Sequence, residues 1–255
     1  MLADIPDLVA KRAELSPDKV ALEEIATGRR LTYAELDRRA GRAASLMAAR
    51  GVGEGDRVAI LCRNRIAFFE LLFGCAKLGA ILVPLNWRMP PSELGQLVED
   101  CAPKLLFAGA EDEAAARTLG LPAIGLDGDY EALMERTEPG LWRARWPSDG
   151  IWYLIYTSGT TGRPKGVIYN FRMAMANYVN IGSAIDIRSS DTTLNFLPLF
   201  HTAGINLHSL PTLFAGGQVI ILKGFDAAVV VRLLDARRLS TFFAVPTVYQ
   251  ALLDE

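Results

Sequence analysis

Residues 156 to 166 read YTSGTTGRPKG. Thr157, Ser158, Thr160 and Thr161 bring hydroxyl donors, and Gly159, Gly162 and Gly166 bring backbone freedom. Exposed amides on such a stretch form concave anion sites. Lys165 adds a compact cation suited to a polyphosphate, and Arg163 a second charge. The chemistry implied is a grip on the β- and γ-phosphates of a nucleotide.

The spacing is not that of a Walker A loop, which runs Gly-x-x-x-x-Gly-Lys-[Ser/Thr] into a helix. Here Pro164 stands five residues after Gly159, Arg163 follows Gly162, and GVIYN reads as a strand. WYLIY before the loop reads as a strand too. The loop is therefore expected to join two neighbouring antiparallel strands, without the helix dipole that a Walker loop uses. An ordinary polar hairpin loop has the same composition, and composition alone does not choose between the two.

Two histidines lie further on. His201, in LPLFHTAG, is open to a pocket role or to that of a packed, hydrogen-bonded core residue. His208 falls within an apolar run and reads as structural. Asn86 and Arg88 in NWR read first as fixing the turn before Pro90, with Trp87 as packing.

The elements that must position these residues alternate. The expected strands are KVALEEI, DRVAIL, AILVPLN, KLLFAG, LPAIGL, IWYLIYT, GVIYNF, TTLNFLP, GGQVIIL and TFFAV. Between them lie helical patterns, among them LTYAELDRRAGRAASLMAARG, RIAFFELLFGCAKLG, PSELGQLVEDC, residues 171 to 184, TAGINLHSLPTLF, AAVVVRLLDARR and a last helix from Pro246. Thr32 and Glu35 form a capping box opening the first of these helices. Strands separated by amphipathic helices predict an α/β fold of layered, largely parallel sheets flanked by helices. Residues 127 to 150 are the least regular and read as a short helix and a long connection.

Bulk composition narrows the class. Of 255 residues, 51% are hydrophobic and the net charge is −2, so a large core is available and no basic surface for nucleic acid is expected. Cys62, Cys75 and Cys101 lack metal-ligand spacing and read as buried reduced thiols. The N-terminus lacks the order of a signal peptide, and no apolar run reaches the ~18 residues of a membrane span, so a cytoplasmic protein without a transmembrane segment is expected.

YTSGTTGRPKGV resembles the phosphate loop of the adenylate-forming (AMP-binding) superfamily, which includes acyl-CoA synthetases, peptide-synthetase adenylation domains and beetle luciferases. LTYAEL at 31–36, GAILVPLNWRMPPSEL at 79–94, LPLFHTAG at 197–204 and FFAVPTVYQALL at 242–253 are similar to further superfamily segments, in the same order. The resemblance implies an ATP-dependent acyl-CoA synthetase that adenylates a carboxylic acid, of fatty-acid type, and passes the acyl group to CoA. It implies that Thr157, Ser158, Gly159, Thr160, Thr161, Gly162 and Lys165 cradle ATP, that Thr160 serves Mg²⁺, and that His201 stands beside the acyl carboxylate or the thiol. The implied partners are the acid, ATP and CoA; a homodimer is compatible with it.

The superfamily motifs Tyr-Gly-x-Thr-Glu and Thr-Gly-Asp do not occur here. The chain thus resembles the first half of the large N-terminal domain, with 51–185 as one α/β subdomain and 1–50 plus 190–255 as an incomplete second. Such a fragment is expected to be inactive alone. A non-catalytic nucleotide- or phosphate-binding module and a peptide-synthetase adenylation domain are the alternatives. Against the latter, Ile205 and Asn206 stand near the place of the acid that holds a substrate amine.

Overall fold

The computed structural model describes residues 3–157 and 164–255. In chain order the first elements are β1 (Asp4–Pro6), α1 (Leu8–Leu15), β2 (Val20–Glu24), β3 (Arg29–Thr32) and α2 (Tyr33–Ala49). A regular alternation follows: β4 (Arg57–Leu61), α3 (Ile66–Leu78), β5 (Ile81–Pro84), α4 (Pro91–Cys101), β6 (Leu105–Ala108), α5 (Glu113–Thr118), β7 (Ala123–Gly125) and α6 (Asp129–Arg136). Then come β8 (Arg145–Pro147), β9 (Ile151–Thr157), β10 (Lys165–Asn170), α7 (Phe171–Ile185) and β11 (Thr192–Asn195). The last are α8 (Ser209–Ala215), β12 (Gln218–Ile221), α9 (Ala227–Asp235) and α10 (Pro246–Leu253).

The strands form two main sheets. One has the order β10-β9-β5-β4-β6-β7, parallel except where β10 runs antiparallel to β9. The other has the order β11-β12-β2-β3, parallel except for β3. β1 and β8 make a small antiparallel pair.

Local chemistry sets the helix ends. The Thr32 hydroxyl accepts from the Glu35 amide at 3.2 Å, and the Thr32 amide donates to the Glu35 carboxylate at 2.8 Å, closing the capping box. From that cap α2 buries Tyr33, Leu36, Ala40, Ala43 and Met47, a stripe at helical spacing. Helix α3 stops at Gly79, whose φ of 81° is left-handed and open to glycine at little cost.

Helix α3 is the centre of the molecule. Every residue from Ile66 to Lys77 is buried. The helix packs on α2, on β5 and β9 of the six-stranded sheet, and on β2 of the four-stranded one. Glu70 within it is fully buried and takes the Arg39 guanidinium, Arg29 at 3.2 Å and the Tyr130 hydroxyl at 2.8 Å. Lys77 meets Asp7 and Asp37, each at 2.7 Å. An aromatic stack of Trp146, Phe171, Trp152 and Phe214 continues this core, with the Trp152 indole donating to the Leu72 carbonyl at 2.8 Å.

Three expectations are corrected. TFFAV forms no strand: Thr241 makes a single bridge to Thr193, and the segment then leads into α10. TAGINLHSLPTLF is not one helix but a π-turn, Ala203–Leu207, followed by α8. The break has a cause: Asn195 and Ser209 side chains both donate to the Gly204 carbonyl and withdraw it from the helical ladder. Residues 127 to 150 contain β8 as well as a helix. The arginine-rich β3 and the three-residue β1 also escape the sequence pattern. Cys75 and Cys101 are buried free thiols, and burial pushes the Cys101 thiol up to about 11. No helix among the described residues is long and apolar enough to cross a membrane.

Two stability predictions follow from a buried charge and a half-buried imidazole. Glu70→Ala leaves the buried Tyr130 phenol without its acceptor and the Arg39 guanidinium with Glu131 alone, and is expected to cost about 2–4 kcal/mol in urea unfolding; a loss of a few tenths contradicts the account. The His208 Nδ1 lies 3.0 Å from the Thr193 hydroxyl, and burial holds its pKa below the ordinary 6.5. The unfolded chain therefore takes up a proton that the folded chain refuses, so this contribution is full above the unfolded pKa and is lost as pH falls toward the folded one. Between about pH 8 and about pH 5 the urea midpoint of the parent should fall further than that of His208→Asn.

Candidate functional site

The two feet of the YTSGTTGRPKG segment are Thr157, the last residue of β9, and Lys165, the first of β10. They stand opposite one another in the antiparallel register, and so present their side chains on one face. Both are exposed. Ser158, Gly159, Thr160, Thr161 and Gly162 lie outside the described residues, and with them the metal role expected of Thr160. The β9 foot is tethered: the Tyr156 hydroxyl donates to Asp100 of α4, and burial followed by that carboxylate keeps the phenol protonated far above its usual range.

A cleft of about 570 Å³ opens beside these feet. Its lining includes Thr157 and Pro164, Asn86 from the turn after β5, and Phe200 from the turn after β11. Three segments thus converge at the carboxyl ends of strands β5, β9 and β11. Open α/β sheets hold their ligands there, because the loops leaving those ends splay apart. His201 is exposed and is not among the described residues lining this cleft.

The NWR turn is built by its own side chains. The Asn86 carbonyl accepts from the Arg88 amide at 2.9 Å, fixing the turn. Trp87 packs its ring edge-to-face with Phe200, centroids 5.9 Å apart. The Arg63 guanidinium lies 3.2 Å over the Trp87 ring and reaches the buried Asp112 carboxylate at 3.7 Å. Burial raises the pKa of that carboxylate, and Arg63 works against the rise.

The turn carrying His201 is held from inside. The His201 amide donates to the Pro198 carbonyl at 3.1 Å, and its Nδ1 accepts from the Ala203 amide at 3.2 Å. Asn64, between β4 and α3, donates to the Asn195 side chain at 3.0 Å and to the Leu197 carbonyl at 2.9 Å, and accepts from the Leu199 amide at 3.1 Å. A Cβ on Gly204 would stand 2.3 Å from the Pro198 carbonyl, so only glycine lets the chain close here. Asn206 accepts from the Tyr153 hydroxyl of β9 at 2.7 Å and donates to Thr202 at 3.0 Å. The strand β9 that ends at Thr157 is therefore bonded directly to the segment that follows His201.

Asn64 and Tyr153 are residues the sequence reading did not single out. Asn64 did carry a signal: a polar residue at the carboxyl end of a parallel strand, where sites collect. Tyr153 carried none, being one aromatic in an apolar strand. Among the described residues no group of three or more His, Cys, Asp or Glu could hold a metal ion.

Comparison with known proteins agrees with this architecture. The family model described as AMP-binding enzyme matches residues 9–255. A feruloyl-CoA synthase from Amycolatopsis sp is 38% identical over 248 residues, covering 95% of this chain and 48% of the relative. The long-chain-fatty-acid–CoA ligase FadD13 of Mycobacterium tuberculosis is 32% identical, over 94% of this chain and 49% of the ligase. The structure of ATP-bound MatB from Rhodopseudomonas palustris superposes with a TM-score of 0.86 at 30% identity, over 98% of this chain and 52% of that one. The chain spans about half the length of the curated relatives it matches. With that match over nearly all its residues, the chain belongs to the AMP-binding enzyme family.

Proposed function

We propose that this chain forms the phosphate-gripping part of an ATP-dependent acid–CoA ligase. The observation that carries the reading is that Thr157, which lines a cleft with Pro164, Asn86 and Phe200, stands opposite Lys165 in the ladder. In the first step a carboxylate oxygen bonds to the α-phosphorus of ATP, the bond to the β-phosphate bridge breaks, and pyrophosphate leaves. In the second, the CoA thiol gives up its proton, forms the thioester and expels AMP.

The obstacle to the first step is the approach of an anion to a polyanion. Lys165 places a cation at the loop's second foot, and Thr157 a hydroxyl donor at the first, where negative charge grows on the leaving pyrophosphate. Bound with ATP, Mg²⁺ neutralises phosphate charge; the hydroxyls proposed to serve it are those of the loop, Thr160 first, together with Thr157. A carboxylate nucleophile is already ionised at neutral pH, so His201 is proposed to orient the acyl end rather than to remove a proton. Residues 51–185 and the pair 1–50 plus 190–255 are proposed as two subdomains with the site along their seam. A cytoplasmic setting, where ATP and CoA are at hand, goes with the reading.

Support for an acid without an α-amino group comes from Asn206. Its side chain is spent on Tyr153 and Thr202, and Ile205 beside it is fully buried, so neither offers a counter-charge for an ammonium. A fatty or other apolar acid fits better than an amino acid.

The test is acid-dependent exchange of labelled pyrophosphate into ATP, measured on the natural-length polypeptide that carries this chain. Lys165→Ala should lower the exchange by about 10²–10³-fold with the circular dichroism unchanged. Exchange within about threefold of the parent would remove Lys165 from the grip and sink the assignment.

A further inference from the structure

The corner between β4 and α3 does more than connect them. We propose that Arg63, Asn64 and Trp87 are positioning residues that set where Phe200 stands in the cleft wall and where His201, next to it in the chain, is held. The kinetic part of this rests on the ligase reading; the structural part does not.

Two restraints start from adjacent residues and end on one turn. Asn64 acts on the backbone. It is buried, at 4% exposure, and its amide makes hydrogen bonds to Asn195, Leu197 and Leu199. The last two are backbone groups within the three residues before Phe200. Arg63 acts on the ring. Its guanidinium covers one face of Trp87 at 3.2 Å, and Trp87 meets Phe200 edge-to-face. Arg88 adds a second guanidinium, 4.8 Å from the Trp87 ring and 5.8 Å from the Phe200 ring.

The turn so held belongs to the four-stranded sheet, and the residues that hold it leave the six-stranded one. Packing alone does not call for an asparagine here, since an apolar residue would fill the space. What the amide adds is direction: one donor contact and one acceptor contact fix the 197–199 backbone, and a second donor contact anchors the amide to the Asn195 side chain. Phe200 lines the cleft and His201 follows it, so a displaced turn moves the acyl side of the site and leaves the phosphate feet, Thr157 and Lys165, in place.

The chain has two histidines, so His201 ring protons can be followed directly by NMR in the 255-residue chain. In Asn64→Ala the His201 ring signals should shift or split while the backbone amides of β6 and β7 keep their positions. Unmoved His201 signals in a folded Asn64→Ala would overturn the proposal. If that variant does not fold, the pair Trp87→Ala and Trp87→Phe decides: the first should move the His201 signals, and the second, which keeps an aromatic edge for Phe200, should restore them. Unmoved signals in Trp87→Ala again refute it.

In the natural-length polypeptide, Asn64→Ala should raise KM for the carboxylic acid by about tenfold, with KM for ATP within about twofold. A fall in kcat with both KM values unchanged would mark a purely structural role and overturn the positioning claim. A parent polypeptide without acid-dependent exchange would refute the ligase reading instead, and the NMR result would still decide the positioning.

Discussion

A helix with no solvent-facing side cannot carry an unpaired charge, and α3 carries two. Desolvating a lone carboxylate or ammonium costs several kcal/mol, so each must find its partner wherever the helix lies. Glu70 draws in Arg39 from α2, Arg29 from β3 and Tyr130 from α6. Lys77 draws in Asp37 from α2 and Asp7, which also caps α1 through the amides of Val9 and Ala10. Burial disfavours the Lys77 ammonium, but the two carboxylates more than offset it, and Lys77 titrates above its ordinary value. Elements far apart in the sequence are thus located by two charges on one helix. The hydrophobic contacts around α3 supply stability without direction; the ion pairs supply the direction.

The candidate site depends on that placement at one remove. With α3 fixed, the corner before it is fixed, and Asn64 can reach the turn after β11. With β5 and β9 packed on α3, Trp87 and Tyr153 reach the same region from the other sheet. The seam between sheets is therefore polar and directional where the core beneath it is apolar. Such a seam suits chemistry on a charged substrate, because its groups are held in place before the substrate arrives and need not reorganise.

Much of this was legible in the sequence, and the parts that were not share a cause. The alternation of strands and helices, the capping box at Thr32 and Glu35 and the antiparallel strands around the loop are local patterns, and local patterns survive into the fold. The segment between those strands stood out in the sequence because its residue types are improbable between two apolar strands. What escaped was non-local. Asn64 bonds to residues 131 to 135 positions away, and no window of sequence contains both ends. TFFAV has the composition of a strand, yet it finds a ladder partner only at Thr241. The helix expected through His208 broke because Asn195, in a preceding strand, competes for a carbonyl that the periodicity assigned to the helix. Arg29 and Arg30 masked β3, since the pattern that marks a half-buried strand was carried there by Leu31 alone.

The opposition of Thr157 and Lys165 in the ladder also governs how the segment between them can vary. The ladder fixes the distance between the loop's ends, so the entropy of bringing them together is already met by the strand pairing. Lengthening the loop is then cheap, at about 0.6 kcal/mol for each doubling. Shifting β10 by a single residue is not, because the side-chain period of two would carry Lys165 to the opposite face of the sheet. Insertions between the two feet are therefore tolerated far more readily than deletions within β10, and the lysine's position is protected by pairing geometry before any contact with a nucleotide is considered.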